Sequence, residues 1–317
     1  MMFAGIGTVA LRTLAARYDG AVTKDLLLDP NARHKTERHS SISGPLNYLF
    51  VGSDRRAKNP DAGERSDTIM IAHIPAELDR AYLVSVPRDL LVDIPPHPAT
   101  GFGGGRDKIN AAFQFGHGGR DGTQLLSSTL TRLTGLRFDG AVIINFAGFE
   151  KVIDMVGGVE VCLDREVHSI HTGTVFPPGC QQMDGPKALD FARQRYDLPG
   201  GDFDRQRHQQ QLVRALLQQV ADTNLLTSPI KADQIIRGIG STLTVDTNGV
   251  PTEDLAFALR GIDPESMSGL RVPANPQMID DTSYMLLDQE AESLFRSLRE
   301  AKMQNWIKTH PEWVNDL

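Results

Sequence analysis

Three short runs rich in aromatic and β-branched residues, at 46–52, 68–74 and 81–86, constrain this chain more than any other feature. Runs of that length and composition read as strands. A polar loop at 53–66 joins the first two, and Pro75-Ala76-Glu77-Leu78-Asp79-Arg80 turns the second back toward the third. In an antiparallel meander, the end of the first strand, the start of the second and the end of the third meet at one edge of the sheet. Asp54, Arg65, Asp67, Arg88 and Asp89 therefore gather there.

Downstream, 141–146 reads as a strand. Phe149, Val152, Ile153 and Val156 follow at helical spacing, and Gly157-Gly158 ends that helix. Residues 159–163 form another strand candidate, 186–193 a short helix and 203–220 a longer one. On the longer helix, Leu212, Val213, Leu216, Leu217 and Val220 define a buried face. Stepping back by helical periods brings Gln209 and Arg205 onto the same inward side. An arginine near a helix N-terminus meets the positive end of the dipole, at a cost of about 0.3–1 kcal/mol. Asp202, Asp204 or a bound phosphate would offset it. Arg193 and Arg195 lie just upstream, and arginine's planar fork suits bidentate phosphate contacts. Two readings stand for Arg193, Arg195 and Arg205: a phosphate clamp, or surface ion pairs with Asp190, Asp197 and Asp202. Asp54 and Asp67 are candidates for Mg²⁺, which takes one or two carboxylates together with phosphate oxygens and water. The alternative is that each caps a turn or pairs with a neighbouring arginine.

Other chemistries are poorly served. The 317 residues carry a formal net charge of -7, so the chain as a whole suits no nucleic acid, and an anion site must be a local basic cluster. No GxSxG elbow is present. The Gly-rich stretches 101–105 and 116–122 match no phosphate-loop pattern and read as flexible loops. His168 and His171 read as surface histidines, and His73 as a core histidine. Cys162 and Cys180 read either as two unrelated small residues or as one disulfide. The apolar start, Met1 to about Leu14, falls short of the roughly 20 residues that cross a bilayer. Residues 29–44 are polar and basic and read as a linker. Residues 225–317 show no clear boundary.

In order and spacing the chain resembles the LytR-CpsA-Psr family of bacterial cell-wall enzymes. The resemblance rests on Asn47-Tyr48-Leu49-Phe50-Val51-Gly52-Ser53-Asp54-Arg55, Arg65-Ser66-Asp67-Thr68, Ser85-Val86-Pro87-Arg88-Asp89 and Lys108-Ile109-Asn110. It continues through Val156-Gly157-Gly158-Val159, Ala188-Leu189-Asp190-Phe191-Ala192-Arg193-Gln194-Arg195 and Gly201-Asp202-Phe203-Asp204-Arg205-Gln206-Arg207-His208-Gln209. It implies an α/β fold, an α/β/α sandwich with a mixed central sheet and an apolar lipid-binding pocket. Residues 1–44 would be a membrane-proximal segment and linker, and 45–317 a single catalytic domain. The implied activity is extracytoplasmic, at the cell membrane. A glycopolymer such as arabinogalactan or teichoic acid would pass from a polyprenyl-pyrophosphate carrier to peptidoglycan through a phosphodiester. The alternatives are hydrolysis of the pyrophosphate, or a polyprenyl-lipid-binding wall regulator without catalysis. By analogy Arg65, Asp67, Arg88, Arg193, Arg195 and Arg205 would be catalytic. Asp54, Asp89, Lys108 and Gln209 would bind substrate, and Asp54 and Asp67 would hold Mg²⁺. An extracytoplasmic setting also favours the disulfide reading of the two cysteines.

Overall fold

The computed structural model describes residues 23–35, 42–54, 64–196, 198–223 and 243–317. At its centre is a mixed eight-stranded sheet. Strands β1 (Thr23–Lys24), β2 (Leu46–Ser53), β3 (Ser66–Ile74), β4 (Tyr82–Ser85), β5 (Gly140–Asn145), β6 (Leu243–Asp246), β7 (Ser268–Arg271) and β8 (Val314–Asn315) lie in the order β1-β6-β5-β2-β3-β4-β7-β8. The expected antiparallel meander is present as β2, β3 and β4. Strand β5 joins β2 in parallel, and β7 joins β4 in parallel. The helices that matter for the site are α1 (Ile109–Phe115), α2 (Gly119–Thr134), α3 (Phe146–Met155), α4 (Gly185–Arg193) and α5 (Asp202–Asp222).

Successive strand residues face opposite layers. Leu49, Val51, Ile69, Ile71 and Val84 pack on one side with Phe113 of α1, Leu125 and Leu130 of α2, and Phe295 of the helix Ala291–Arg299. Tyr48, Met70, Ala72 and Leu83 pack on the other with Val213 of α5. The α/β/α sandwich is as expected. A further cluster of Ile153, Val159, Phe176, Phe191 and Leu212 joins α3, α4 and α5 to the strand pair Val159–Leu163 and Gly179–Met183. Cys162 and Cys180 face each other across that pair and form a disulfide. Among the described residues no helix is long and apolar enough to cross a membrane.

Three expectations need correction. The polar segment read as a linker from 29 is folded in its described part: Leu27, Leu28 and Ala32 are in the core. Arg33 pairs with Asp246 at 2.9 Å and His34 with Asp139 at 2.8 Å. Its charges are matched by carboxylates distant in sequence, which a local reading cannot see. Folding therefore begins before residue 45; the apolar start and residues 36–41 lie outside the described residues. The second Gly-rich stretch is not a loop throughout, because Gly119–Gly122 opens α2. A Cβ on Gly116 would sit 2.4 Å from Gly122 Cα, so these glycines let α1 and α2 approach closely. On α5, Leu212 is buried and Val213, Leu216 and Val220 are partly so, but Leu217 is exposed. The segment 225–317 supplies β6, β7 and β8 and so completes the same sheet.

Candidate functional site

A cavity of about 360 Å³ opens between the ends of β2 and β3 and helices α3, α4 and α5. That size is within the usual range of ligand sites, about 300–1,000 Å³. Phe50, Met70, Ile144, Phe149, Leu189 and Val213 give it apolar walls. Asp67, Arg88, Arg193, Arg195, Arg205 and Gln209 are among its polar lining residues. Ile170 and Tyr196, 51% and 49% exposed, mark its mouth.

Local sequence explains how the three helices come to face it. Asn145, the last residue of β5, caps α3 by accepting a hydrogen bond from Gly148 N–H at 2.8 Å. Asp184 caps α4 by accepting from Lys187 N–H at 3.0 Å. Gly201 precedes α5 with φ +54°, a left-handed turn that glycine adopts without a Cβ clash. The first turn of α5 then carries Asp202 and Arg205 into the site.

Arg205 is 5% exposed, and its Nη2 lies 2.8 Å from Asp202 Oδ1. Burial pulls its pKa down; Asp202 partly offsets this, and Arg88 adds to the pull. Arg88 contacts Asp67 through Nη1, and its Nε lies 3.8 Å from Asp89 and 3.9 Å from Asp202. Burial lowers the Arg88 pKa, but Asp67, Asp202 and Asp89 outweigh it, so the net direction is up. Nε of Arg88 and Nε of Arg205 are both buried and have no hydrogen-bond partner. A buried donor left unpaired costs about 1–3 kcal/mol. Two such cationic donors on one cavity suit an anion with several oxygens.

Arg193 and Arg195 behave differently. Arg193 stacks over Phe146 at 4.9 Å and Arg195 over Tyr196 at 4.7 Å, where Arg195 Nη2 also donates to Tyr196 Oη at 2.7 Å. Among the described residues neither is ion-paired with a carboxylate. Asp190 faces inward, toward Ser169, Thr172 and Gln194, and Asp197 lies outside the described residues. The surface ion-pair reading therefore holds only for Arg205 with Asp202, and that pair is buried on its arginine side.

Of the remaining candidates, Asp54, Arg65, Asp89 and Lys108 stand beside the cavity rather than on it. Arg65 N–H donates to Asp54 Oδ1 at 2.7 Å, Asp54 N–H donates to Arg65 O at 3.1 Å, and Arg65 Nε donates to Gln114 Oε1 at 3.2 Å. Lys108 Nζ lies 2.9 Å from Asp89 Oδ1. Through Asp89 this pair abuts Arg88. Gln209 lines the cavity and donates to Ala192 O at 3.3 Å.

The donor set suits Mg²⁺ in kind, since carboxylate oxygens are hard ligands. One oxygen of Asp54 accepts the Arg65 N–H and one of Asp67 faces Arg88. Among the described residues no third His, Cys, Asp or Glu joins these two within ligand distance. Among the described residues, the group of three that does come together is Glu160 with the two disulfide sulfurs. Two carboxylates would leave a cation's remaining positions to phosphate oxygens and water.

Sequence reasoning missed Phe146 and Tyr196 as stacking partners, and it assigned Asp202 no place in the clamp beyond Arg205. The i,i+3 spacing of Asp202 and Arg205 was a usable signal. Phe146 gave none, because its stacking depends on how α3 and α4 pack, whereas Tyr196 is the sequence neighbour of Arg195.

Comparison with known proteins adds the following. The LytR_cpsA_psr family model matches residues 18–300. The probable cell wall biosynthesis protein LcpB of Corynebacterium glutamicum is 35% identical over 229 residues, covering 68% of this chain. The chain spans about half, 52%, of that relative's length. The crystal structure of B. subtilis TagV aligns with TM-score 0.66 at 25% identity, over 82% of this chain and 98% of TagV. A structure of TagT bound to LIIa-WTA aligns with TM-score 0.64 at 20% identity, over 86% of this chain and 98% of TagT.

Proposed function

The chain belongs to the LytR-CpsA-Psr family of cell-wall biosynthesis proteins, and on that premise we propose that it is an extracytoplasmic phosphotransferase. It moves a glycopolymer from a polyprenyl-pyrophosphate carrier onto peptidoglycan. The observation that carries this reading is one cavity with two chemistries: apolar walls beside Arg88, Arg193, Arg195 and Arg205. An amphiphile with a hydrocarbon tail and a pyrophosphate head matches both. That TagT was solved with LIIa-WTA bound supports the choice of a wall glycopolymer donor.

In this mechanism the unpaired Nε groups of Arg88 and Arg205 and the stacked guanidiniums of Arg193 and Arg195 hold the pyrophosphate oxygens. Gln209 supports them, while Lys108 and Asp89 brace Arg88 from behind. A hydroxyl oxygen of the acceptor attacks the sugar-proximal phosphorus. The bond from that phosphorus to the bridging oxygen breaks, and polyprenyl phosphate leaves with the bridging oxygen. The hydroxyl proton passes to a carboxylate at the clamp, where Asp67 lines the cavity. Held by Asp67 and Asp54, Mg²⁺ would supply further neutralisation of phosphate charge. The arginines stabilise charge that grows on the equatorial oxygens in the transition state, so their loss falls on turnover.

The test is to incubate the protein with a lipid-pyrophosphate glycan, peptidoglycan and Mg²⁺, and to follow glycan on the acceptor. Arg88→Ala and Arg195→Ala should each lower transfer by roughly 10²–10³-fold with circular dichroism unchanged. Full transfer in both variants would remove the site. Free glycan phosphate in place of a linked product would make the enzyme a hydrolase. Undiminished transfer in the presence of a chelator would remove the cation.

A further inference from the structure

The turn at the mouth of the cavity is more firmly built than a surface loop requires. It links the paired strands Val167–His168 and Val175–Phe176. Ser169 Oγ donates to Asp190 Oδ1 at 2.6 Å, and the N–H groups of His171 and Thr172 donate to Ser169 Oγ at 3.0 and 3.1 Å. Ile170 N–H donates to Gln194 Oε1 at 3.2 Å, and Gln194 Nε2 donates to Asp190 Oδ1 at 2.8 Å. Asp190 and Gln194 are buried. A buried carboxylate must be fully hydrogen-bonded, and here the turn supplies the donors. The network fixes the backbone of a turn that carries Ile170, half exposed, at the mouth of the cavity.

Ile170 is not alone. Val175, beside the same turn, is 48% exposed, and Tyr196 across the mouth is 49% exposed. Arg193 and Arg195 stand on the same rim, stacked on aromatic rings rather than paired with carboxylates among the described residues. Nearby, Glu166 is hydrogen-bonded to His168, and Arg165 and Arg207 pair with Asp164. His171, which lines the mouth, has its pKa lowered by burial and by Arg193, so it adds no lasting charge. A chain of net charge -7 thus presents a rim that is apolar and locally basic.

We propose that the rim of Ile170, Val175 and Tyr196, flanked by Arg193 and Arg195, docks on an anionic lipid bilayer. Docking sets the mouth of the cavity against the hydrocarbon. Tyrosine and arginine suit that boundary, since each joins an apolar body to a polar tip. Basic residues beside exposed apolar ones bind anionic lipid surfaces by combining insertion with electrostatic attraction. The proposal rests on reading the cavity as a lipid-chain site, because continuity with the bilayer lets a chain enter without crossing water.

The test uses the full chain and phosphatidylcholine vesicles with or without phosphatidylglycerol, free of any polyprenyl lipid. Ile170→Trp places a reporter on the rim. Leu26→Trp places one at an exposed apolar site that does not line the cavity. Brominated acyl chains should quench the reporter at 170 above the background of the unsubstituted chain, only with phosphatidylglycerol present, and leave the reporter at 26 bright. The double variant Ile170→Ser, Tyr196→Ser should partition about tenfold less strongly. Overturning results are an unquenched reporter at 170, equal quenching at 26, indifference to phosphatidylglycerol, or a double variant that binds like the unsubstituted chain. Because the vesicles hold no pyrophosphate lipid, failure here leaves the transfer assay standing, and failure of transfer leaves this result standing.

Discussion

Arg205 sits where a helix least favours a cation, in the first turn and almost wholly buried. Asp202 is its nearest compensation at 2.8 Å. Asp202→Ala should therefore destabilise the fold by about 2 kcal/mol, less than a fully buried pair because Asp202 is partly exposed. Inorganic pyrophosphate should then raise the melting temperature of this variant more than that of the parent chain. Equal melting temperatures for the two proteins would place the compensation elsewhere. The inward direction of Arg205 and Gln209 was legible, because helical periodicity carries it from Leu212 and Val213. The fate of Arg193 was not, since Phe146 becomes its partner only when α3 packs on α4, whereas Tyr196 is the sequence neighbour of Arg195. Asp54 and Arg65 were rightly sent to the strand ends, but spacing did not reveal that they bind each other's backbone and stand off the cavity.

At the scale of elements, the strand pair Val159–Leu163 and Gly179–Met183 holds the rim turn between its arms. Its disulfide closes a loop with a sequence separation of 18. A loop of that size limits the unfolded chain enough to stabilise the fold by about 3 kcal/mol. Reductant, or the double variant Cys162→Ser, Cys180→Ser, should lower the thermal midpoint in parallel. A midpoint unmoved by reductant would show that the bond contributes nothing. The meander was readable because alternation and turn residues act locally. The contact of α1 with α2 was not, since Gly116 and Gly122 gain their meaning from each other's backbone.

For the molecule as a whole, acid stability should depend on two histidines in different layers. Burial lowers the pKa of His73 to about 4; His208 is likewise lowered to about 4, by burial and then by Arg207. Folded-state values below the unfolded one mean that the unfolded chain takes up protons first as pH falls. Their stabilisation is full above about pH 6.5 and is lost between there and pH 4. The combined slope should approach about 2.7 kcal/mol per pH unit in that window. Urea melts at pH 7 and pH 5 check this, and His208→Gln should roughly halve the slope; equal stabilities at the two pH values would contradict it. His34 acts in the opposite sense: its hydrogen bond to Asp139 raises its pKa, so its contribution is lost as pH rises. The sandwich was legible in outline, but β6, β7 and β8 have four residues or fewer and acquire strand character only beside β5, β4 and β7 respectively.

The clamp is divided between two parts of the chain. Asp67 and Arg88 come from the meander and its end, while Arg193, Arg195 and Arg205 come from α4, the segment after it and α5, more than a hundred positions later. Neither part alone brings these cations onto one cavity. A nascent molecule whose meander has formed but whose helices are still undocked has nothing with which to grasp a donor. Under the proposed function, recognition of the donor would therefore wait on completion of the fold, because the cations that would hold it converge only when both parts have docked.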